Sequence, residues 1–156
     1  MPELGDLLTR DRIALDVPAR SKRQILRELA ELVAKDLGLD PETILRALLE
    51  REKLGSTAIG QGIAIPHARV PELEELVGAF VRLADAVDFD ALDEEPVDLI
   101  FLLLAPAATS SAEHLRMLAR LARLLRDPET RRRLREEKDV ERVLRLLGRG
   151  RESRAA

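Results

Sequence analysis

The two histidines of this chain, His67 and His114, are the side chains best suited to chemistry near neutral pH, because an imidazole changes charge in that range. His67 follows Pro66, which fixes its own φ and restricts Ile65, so the backbone that leads to the ring is stiff. We expect His67 to lie at the end of a short apolar strand, at the rim of a sheet. A neutral imidazole held there in one orientation could act as a nucleophile, and a structural or surface histidine is the alternative.

His114 and Arg51 could both bind an anion beside such a nucleophile. His114 lies just inside a predicted helix that begins at Ser110, where the partial positive charge of the helix N-terminus disfavours a second proton on the ring. A neutral His114 could still donate one N–H to an oxyanion. Arg51 ends another predicted helix and supplies a planar, always-charged donor for phosphate oxygens. The alternatives are a capping or surface histidine and an arginine that only complements the helix dipole.

The segment between Arg51 and His67 contains three glycines, Gly55, Gly60 and Gly62, whose backbone N–H groups could cradle an anion. It has neither G-x-x-x-x-G-K-[ST] nor a G-x-G-x-x-G sequence that opens a helix, so neither a nucleotide P-loop nor a dinucleotide-binding fingerprint is predicted. The chain also lacks a G-x-S-x-G nucleophile elbow. Two histidines without a third ligand at metal spacing give little support for a zinc site, so no metal is expected.

The composition limits the remaining classes of function. The 156 residues suffice for one domain, and the absence of cysteine excludes disulfides, thiolate zinc sites and cysteine nucleophiles. Charged residues occur throughout Met1–Arg12, so no secretory signal is predicted, and the longest apolar run, Leu99–Ala105, is too short to cross a bilayer. We therefore expect a cytoplasmic protein without membrane insertion.

The C-terminal part of the chain is basic. From Arg126 onward there are 11 Lys and Arg against 7 Asp and Glu. No aromatic side chain follows Arg126 to stack on nucleic-acid bases, so we interpret this part as a solvated helical end and expect no nucleic-acid partner.

Apolar spacing and capping residues predict five helices. The first runs from Ser21, which forms a capping-box pattern with Gln24, to Leu37, and Gly38 follows as a stop. The others are predicted over Pro41–Lys53, from Ser110 onward, over Pro128–Glu137 and over Val140–Leu147. The helix from Ser110 begins with a second capping box, and its core side is expected to carry Leu115, Leu118, Ala119, Ala122 and Leu125.

Strands are predicted between and before these helices. They are expected at Arg12–Val17, as two short strands joined around the turn Gly60-Gln61-Gly62, at Leu76–Leu83 and at Val97–Ala105. The last is apolar on both faces, which is typical of a central strand covered on both sides. We therefore predict an α/β fold, a mixed β-sheet flanked by helices on both faces. It forms a single domain over residues 4–148, with a flexible tail at 149–156.

One long segment identifies a family. Arg51–His67 reads REKLGSTAIGQGIAIPH and closely resembles the active-site segment of the type-2 enzyme IIA domain of the bacterial phosphoenolpyruvate-dependent phosphotransferase system, in its fructose/mannitol and nitrogen-regulatory class. The strand after Pro96 and the Glu113-His114-Leu115 segment are also similar to the family, and the resemblance covers Leu4 to Leu147. The sequence departs from the family after the histidine, where Ala68-Arg69 replaces the usual glycine and its successor.

The resemblance implies a role for each candidate residue. His67 would be phosphorylated on Nε2 by the phosphocarrier HPr or its nitrogen-branch counterpart, and Arg51 and His114 would stabilise the phosphoryl group. Ser56, Thr57, Gly60 and Gly62 would form an auxiliary loop, and no cofactor would be needed. The phosphoryl group would then pass to a IIB domain in sugar transport, or serve as a regulatory signal to a target protein.

Two branches and two other functions stay open at this point. The Arg51–His67 segment looks slightly closer to the nitrogen-regulatory branch than to the fructose branch. A non-catalytic regulatory binding module of the same fold could instead dock a partner through the face around His67. A small metal hydrolase that uses both histidines is the third possibility.

Overall fold

The computed structural model describes residues 3–148 and contains every predicted helix and strand. The strands are β1 (Ile13–Val17), β2 (Ala58–Gly60), β3 (Ile63–Ala64), β4 (His67–Arg69), β5 (Val77–Val87) and β6 (Val97–Ala105). The α-helices are α1 (Lys22–Leu37), α2 (Pro41–Glu52), α3 (Ser111–Arg126), α4 (Pro128–Glu136) and α5 (Val140–Leu147). Two short 3₁₀ helices, Leu4–Leu7 and Arg10–Arg12, precede β1. The predicted tail, residues 149–156, lies outside the described residues.

The strands form one mixed sheet. Strand β5 lies between β1, to which it is parallel, and β6, to which it is antiparallel. The other edge of β6 pairs in parallel with β3 and β4, and β2 pairs antiparallel with β3. Because β6 is covered on both faces, nearly all of its side chains are apolar and buried. The predicted mixed sheet is confirmed.

Strands β3 and β4 continue each other along the same edge of β6. Ile63 of β3 pairs with Leu99, and His67 of β4 pairs with Leu103, so the register is unchanged across the gap between them. Pro66 interrupts the pairing because proline has no N–H to donate, although its carbonyl still accepts from Leu103 N at 2.9 Å. The predicted position of His67 is therefore corrected: it is the first residue of a second strand, β4, and not the end of the first strand, β3.

Helices cover both faces of the sheet, as predicted. On one face α1 and α2 pack around residues such as Leu29 and Ile44, which are completely buried. On the other face α3, α4 and α5 pack with Phe101, Leu121 and Leu134, which are also completely buried. Two close-packed cores therefore hold the sheet rigid on both sides of the edge where His67 lies.

The apolar face of α3 differs from the prediction. Met117, Leu121 and Leu125 are buried, whereas Leu115 has 66% of its surface exposed and Ala119 is also exposed. Leucines occur on several sides of this helix, so more than one stripe with helical spacing can be drawn through it. Packing against the sheet buries the side of the helix that carries Met117. Leu115 lies on a different side of the helix, near its first turn, and therefore faces solvent.

Candidate active site around His67

The orientation of the His67 ring is fixed by its own backbone. Nδ1 lies 2.7 Å from the carbonyl oxygen of Ile65. Because a carbonyl oxygen only accepts hydrogen bonds, Nδ1 must be the nitrogen that carries the proton, and the lone pair of the neutral ring is then on Nε2. His67 is half-buried, so Nε2 belongs to a ring that is held firmly and still reached from outside.

Arg51 approaches the lone-pair side of this ring. It lies in the last turn of α2, which Asp40 caps at its other end by accepting a hydrogen bond from Glu42 N. Arg51 Nε donates to His67 Nε2 at 3.3 Å, and Arg51 Nη1 donates to the carbonyl of Gly55 at 3.0 Å. The guanidinium is therefore held between the ring and the loop that follows α2, next to the nitrogen that could take a phosphoryl group.

His114 completes the group from the opposite layer. Its ring lies 5.7 Å from the ring of His67, centroid to centroid, and the two planes are nearly perpendicular at 82°. His114 Nε2 is buried and has no hydrogen-bond partner among the described residues. A buried polar group without a partner costs about 1–3 kcal/mol, so an incoming group that bonds to this atom would be stabilised there.

Both histidines are held neutral near pH 7. Burial lowers the pKa of His67, and the positive charge of Arg51 lowers it further, while the hydrogen bond to Ile65 opposes the shift. Burial also lowers the pKa of His114, with added contributions from His67 and Arg69. A neutral His67 keeps its lone pair available, and a neutral His114 still has one N–H to donate.

The hydroxyl residues of the predicted auxiliary loop support the loop itself. Ser56 Oγ donates to the carbonyl of Phe89 at 2.5 Å and accepts from Ala58 N at 3.1 Å. Thr57 Oγ1 donates to Glu52 at 2.6 Å, and Thr57 N donates to the other oxygen of the same carboxylate at 3.2 Å. These bonds hold the loop whose Gly55 carbonyl binds Arg51.

The structure does not bring Gly60 and Gly62 to His67. Both have positive φ, of 97° and 82°, and they flank the turn between β2 and β3. Gly62 lies five residues before His67 along one edge of β6, which is about 16 Å of extended chain. The role of these glycines is therefore to form a hairpin at the far end of β6, and their N–H groups do not reach the imidazole.

Two further residues support the site, and the sequence analysis did not predict them as site residues. The carboxylate of Glu52, only 6% exposed, binds Thr57 and forms an ion pair with Lys22 at 2.8 Å. Arg69 binds the connection between β6 and α3. The signal for Arg69 was its spacing, because residues two apart on a strand face the same side, so Arg69 shares a face with His67.

Other kinds of site find no support in the described part of the chain. Among residues 3–148, no three His, Cys, Asp or Glu side chains are grouped so as to hold a metal ion. No helix in that range is long and apolar enough to span a membrane.

The chain is similar to proteins of one known family. The family model described as phosphoenolpyruvate-dependent sugar phosphotransferase system, EIIA 2, matches residues 6–149. A nitrogen regulatory protein of Bradyrhizobium diazoefficiens is 44% identical over 92% of this chain and 94% of its own.

Solved structures agree in fold. The crystal structure of nitrogen regulatory protein IIA-Ntr from Neisseria meningitidis has a TM-score of 0.86 and 38% identity, covering 92% of this chain and 97% of its own. The mannitol enzyme IIA of Escherichia coli, in its complex with phosphorylated enzyme IIB, has a TM-score of 0.74 and 27% identity, covering 90% of this chain and 96% of its own.

Proposed function

Because this chain belongs to the EIIA 2 family of the phosphoenolpyruvate-dependent sugar phosphotransferase system, we propose that it carries a phosphoryl group on Nε2 of His67. The family takes part in phosphoryl transfer, and the phosphocarrier role of this chain follows from membership. The choice of atom is supported by one observation above all. The hydrogen bond from Nδ1 to the Ile65 carbonyl, at 2.7 Å, leaves Nε2 as the ring nitrogen with a free lone pair.

The transfer step needs no proton to leave the attacking nitrogen. The Nε2 lone pair forms a bond to the phosphorus of a donor phosphohistidine while the donor N–P bond breaks and its electron pair returns to the donor ring. Nδ1 keeps its proton and shares it with the Ile65 carbonyl, which favours the positive charge that develops on the His67 ring. Positioning and charge stabilisation are then the main tasks of the protein, as expected for phosphoryl transfer.

Arg51 and His114 are placed to supply that stabilisation. A phosphoryl group arriving at Nε2 displaces the 3.3 Å bond from Arg51 and gives its guanidinium charged oxygens to bind instead. The same oxygens offer a partner to His114 Nε2, which is buried without one. Donors fixed in place before the reaction are most effective where charge accumulates in the transition state.

We further propose an HPr-like phosphocarrier as the donor and two outlets for the phosphoryl group. One is a IIB domain, since a related enzyme IIA forms a complex with phosphorylated IIB. The other is a regulatory signal to a target protein. The regulatory outlet is favoured, because identity is 44% and 38% with two nitrogen regulatory relatives, against 35% with a fructose-specific EIIA component and 27% with the mannitol enzyme.

A relay assay tests the proposal. Purified chain is mixed with phosphoenolpyruvate, enzyme I and HPr, or with the nitrogen-branch counterparts of the last two, and mass spectrometry measures the uptake of one phosphoryl group. We expect wild type to be modified at His67, and ¹H–¹⁵N NMR of the ring to assign the phosphoryl group to Nε2. His67→Ala should stay unmodified, whereas Leu92→Ala, a control at a fully exposed residue, should be modified like wild type. Normal uptake by His67→Ala would show that the proposed acceptor is wrong.

A further inference from the structure

Strand β4 presents a second charged side chain on the same face as His67. Alternate residues of a strand point to the same side, so His67 and Arg69 share one face, and Ala68 between them is buried in the core under α1 and α2. The face shared by His67 and Arg69 is the one on which α3 brings His114 to the site. Arg69 thus lies next to the contact between the two histidines.

The guanidinium of Arg69 binds the connection that carries the chain from β6 into α3. Its Nη1 donates to the carbonyl of Thr109 at 2.5 Å and lies 3.4 Å from the carbonyls of Pro106 and Ala107. One residue beyond Arg69, Val70 N donates to the carbonyl of Ala105 at 2.8 Å. The end of β4 therefore holds this connection at both its beginning and its end.

The residue after Thr109 is the cap of the helix that carries His114. Ser110 Oγ accepts from Glu113 N at 3.1 Å, and the Ser110 carbonyl accepts from His114 N at 3.0 Å. A shift of the Thr109 carbonyl is therefore passed directly to the first turn of α3 and to the His114 ring. Since neither ring bonds directly to the other, their 5.7 Å separation depends on the backbones that carry them.

We propose that Arg69 is a positioning residue for phosphoryl transfer: it fixes the start of α3 against β4, and so holds His114 at the distance from His67 that a phosphoryl group needs. The inference rests on the function proposed above and extends it to a residue outside direct contact with the reacting nitrogen. All three contacts come from one nitrogen, Nη1, which the planar guanidinium holds in a fixed direction, whereas the ammonium of lysine is a point charge on a flexible stem.

The charge of Arg69 has a separate, measurable effect. It contributes to the lowering of the pKa of His114, after burial and His67. Removal of the charge should raise the pKa of His114, and a lysine should preserve it. The two effects of Arg69, geometry and charge, can therefore be separated by substitution.

The test uses three variants of the full chain in the relay assay, with rates measured by rapid quench. Arg69→Met keeps the apolar stem and removes both donors and charge, Arg69→Lys keeps the charge, and Arg132→Met removes an exposed arginine from α4 as the matched control. We expect the maximal rate to fall about tenfold in Arg69→Met and roughly threefold or more in Arg69→Lys, because misplacing a supporting group by an ångström can cost up to about a hundredfold. The donor concentration that gives half the maximal rate should stay within about twofold of the wild-type value in both Arg69 variants. Arg69 is proposed to position His114, and this should change the transfer step and not the docking of the donor protein. Arg132→Met should match wild type.

Each other outcome contradicts the proposal in a recognisable way. A normal maximal rate in Arg69→Met removes the positioning role. A normal rate in Arg69→Lys alone assigns the effect to charge. A change confined to the half-saturating donor concentration makes Arg69 a docking residue for the partner.

Failure of the proposed function is distinguishable from failure of this inference. If wild type takes no label, the phosphocarrier proposal fails. In that case the positioning of His114 is still tested by NMR, since Arg69→Lys should move the ring resonances of His114 and weaken the contacts between the two rings. Unmoved resonances would overturn the inference whatever the assay shows. If Arg69→Met lowers the urea midpoint of unfolding, its loss of rate could come from lost stability. The maximal rate of Arg69→Lys then decides whether Arg69 has a positioning role.

Discussion

The two ends of the β3–β4 edge contain similar residues and use them in opposite ways. At the hairpin end, Gly60 and Gly62 flank a turn held by Arg135 and Asp98. Arg135 binds Asp98 through two parallel bonds of 2.9 Å, from Nε to Oδ2 and from Nη2 to Oδ1, and Nη2 also donates to the carbonyl of Gln61 at 3.0 Å. Both Nε and Nη2 of this arginine therefore have carboxylate or carbonyl partners from the protein itself, and the charge of Arg135 is paired without a ligand.

At the other end the polar groups are left incomplete. Arg51 donates to a neutral imidazole and to one carbonyl, and within residues 3–148 it has no carboxylate as an ion-pair partner. His114 Nε2 is buried with no hydrogen bond in the same range. Positive charge and donors without an anion are a cost to the folded protein unless an anion arrives during function.

The residue types at the two ends are similar, so they do not identify the functional end. The functional end is identified by hydrogen-bond donors that have no partner within the part of the protein that the structure describes. Both ends carry an arginine held near a glycine-containing loop, and both arginines are held by loop carbonyls. Only the end with His67 keeps unused donors beside an available lone pair. Substitutions at the two ends should therefore separate transfer from stability.

The largest effect is expected from Arg51→Met. Removing a charged donor from a developing oxyanion costs roughly 10²–10³ in rate, and we expect a loss of about that size in the maximal rate of His67 phosphorylation. The free energy of unfolding should change by less than about 1 kcal/mol, since Arg51 makes no ion pair in the described part of the chain. Rapid-quench assays and urea unfolding measure the two quantities. A loss of stability with little loss of rate would mean that Arg51, like Arg135 at the hairpin end, supports the fold and not the transfer reaction.

The next effect is expected from Gly62→Ala at the hairpin end. A Cβ at Gly62 would lie 2.5 Å from Arg135 Nη2 and 3.0 Å from Asp98 Oδ1, and the φ of 82° is unfavourable for alanine. We expect the free energy of unfolding to fall by about 2–3 kcal/mol, from backbone strain and the displaced ion pair.

The control for this substitution is Gly5→Ala. Its Cβ would meet only the Cα of Gly148, at an ordinary 3.7 Å, so its effect on stability should be small. The rate of phosphoryl transfer per folded molecule should be that of wild type in both variants. A slow but stable Gly62→Ala protein would mean that the hairpin turn acts on the site after all.

A smaller loss of stability is expected from Arg135→Met, which makes the same change as Arg51→Met at the opposite end. The Arg135 and Asp98 side chains are 36% and 25% exposed, so water screens their pair. We expect about 1 kcal/mol less stability and an unchanged rate of transfer. Equal effects of the two arginine variants on the rate would contradict the distinction between the two ends.

Local signals in the sequence predicted most of the fold. Ser21, Asp40 and Ser110 each accept a backbone N–H in the turn that follows, as their positions before apolar repeats indicated. The turn Gly60-Gln61-Gly62 forms the predicted hairpin. These features depend on residues within a few positions of each other, so spacing alone was sufficient to find them.

Features that depend on distant partners were not predicted. The short strand that begins at His67 exists because β6 continues past Pro66 and offers it a parallel edge. The burial of Met117 in place of Leu115 is decided by contact with the sheet. The spacing of Arg69 places it on the same face as His67, but the carbonyls that it binds lie about 40 residues later in the chain, and no local pattern predicts that contact.

The candidate site divides in the same way. His67, Arg51 and His114 were singled out by residue type and by the family resemblance, and the structure brings the three together. The glycines of the same segment were also expected to help bind the anion, yet Gly62 lies at the hairpin end. Sequence proximity to a nucleophile could not distinguish a residue that binds the phosphoryl group from one that turns the chain.

The smallest effect is on the pH dependence of stability, and it should occur only at the histidine end. The pKa values of His67 and His114 are both lowered from 6.5 in the folded chain, mainly by burial. As the pH falls below about 6.5, the unfolded chain therefore binds protons at both rings before the folded chain does, and the free energy of unfolding decreases. This contribution is complete above the unfolded pKa and is lost as the pH falls through the folded values.

Urea unfolding between about pH 5 and pH 7.5 measures this effect in wild type and in a His67→Asn/His114→Asn variant. Asparagine removes the titration, so the difference between the two proteins isolates the histidines from the carboxylates, and we expect wild type to lose more stability on acidification than the double variant does. Arg135→Met keeps both histidines and should retain the wild-type slope. Parallel curves for wild type and the double variant would mean that the two rings are as easily protonated in the folded chain as in water, and His67 would then lack the protected neutral lone pair on which its proposed role depends.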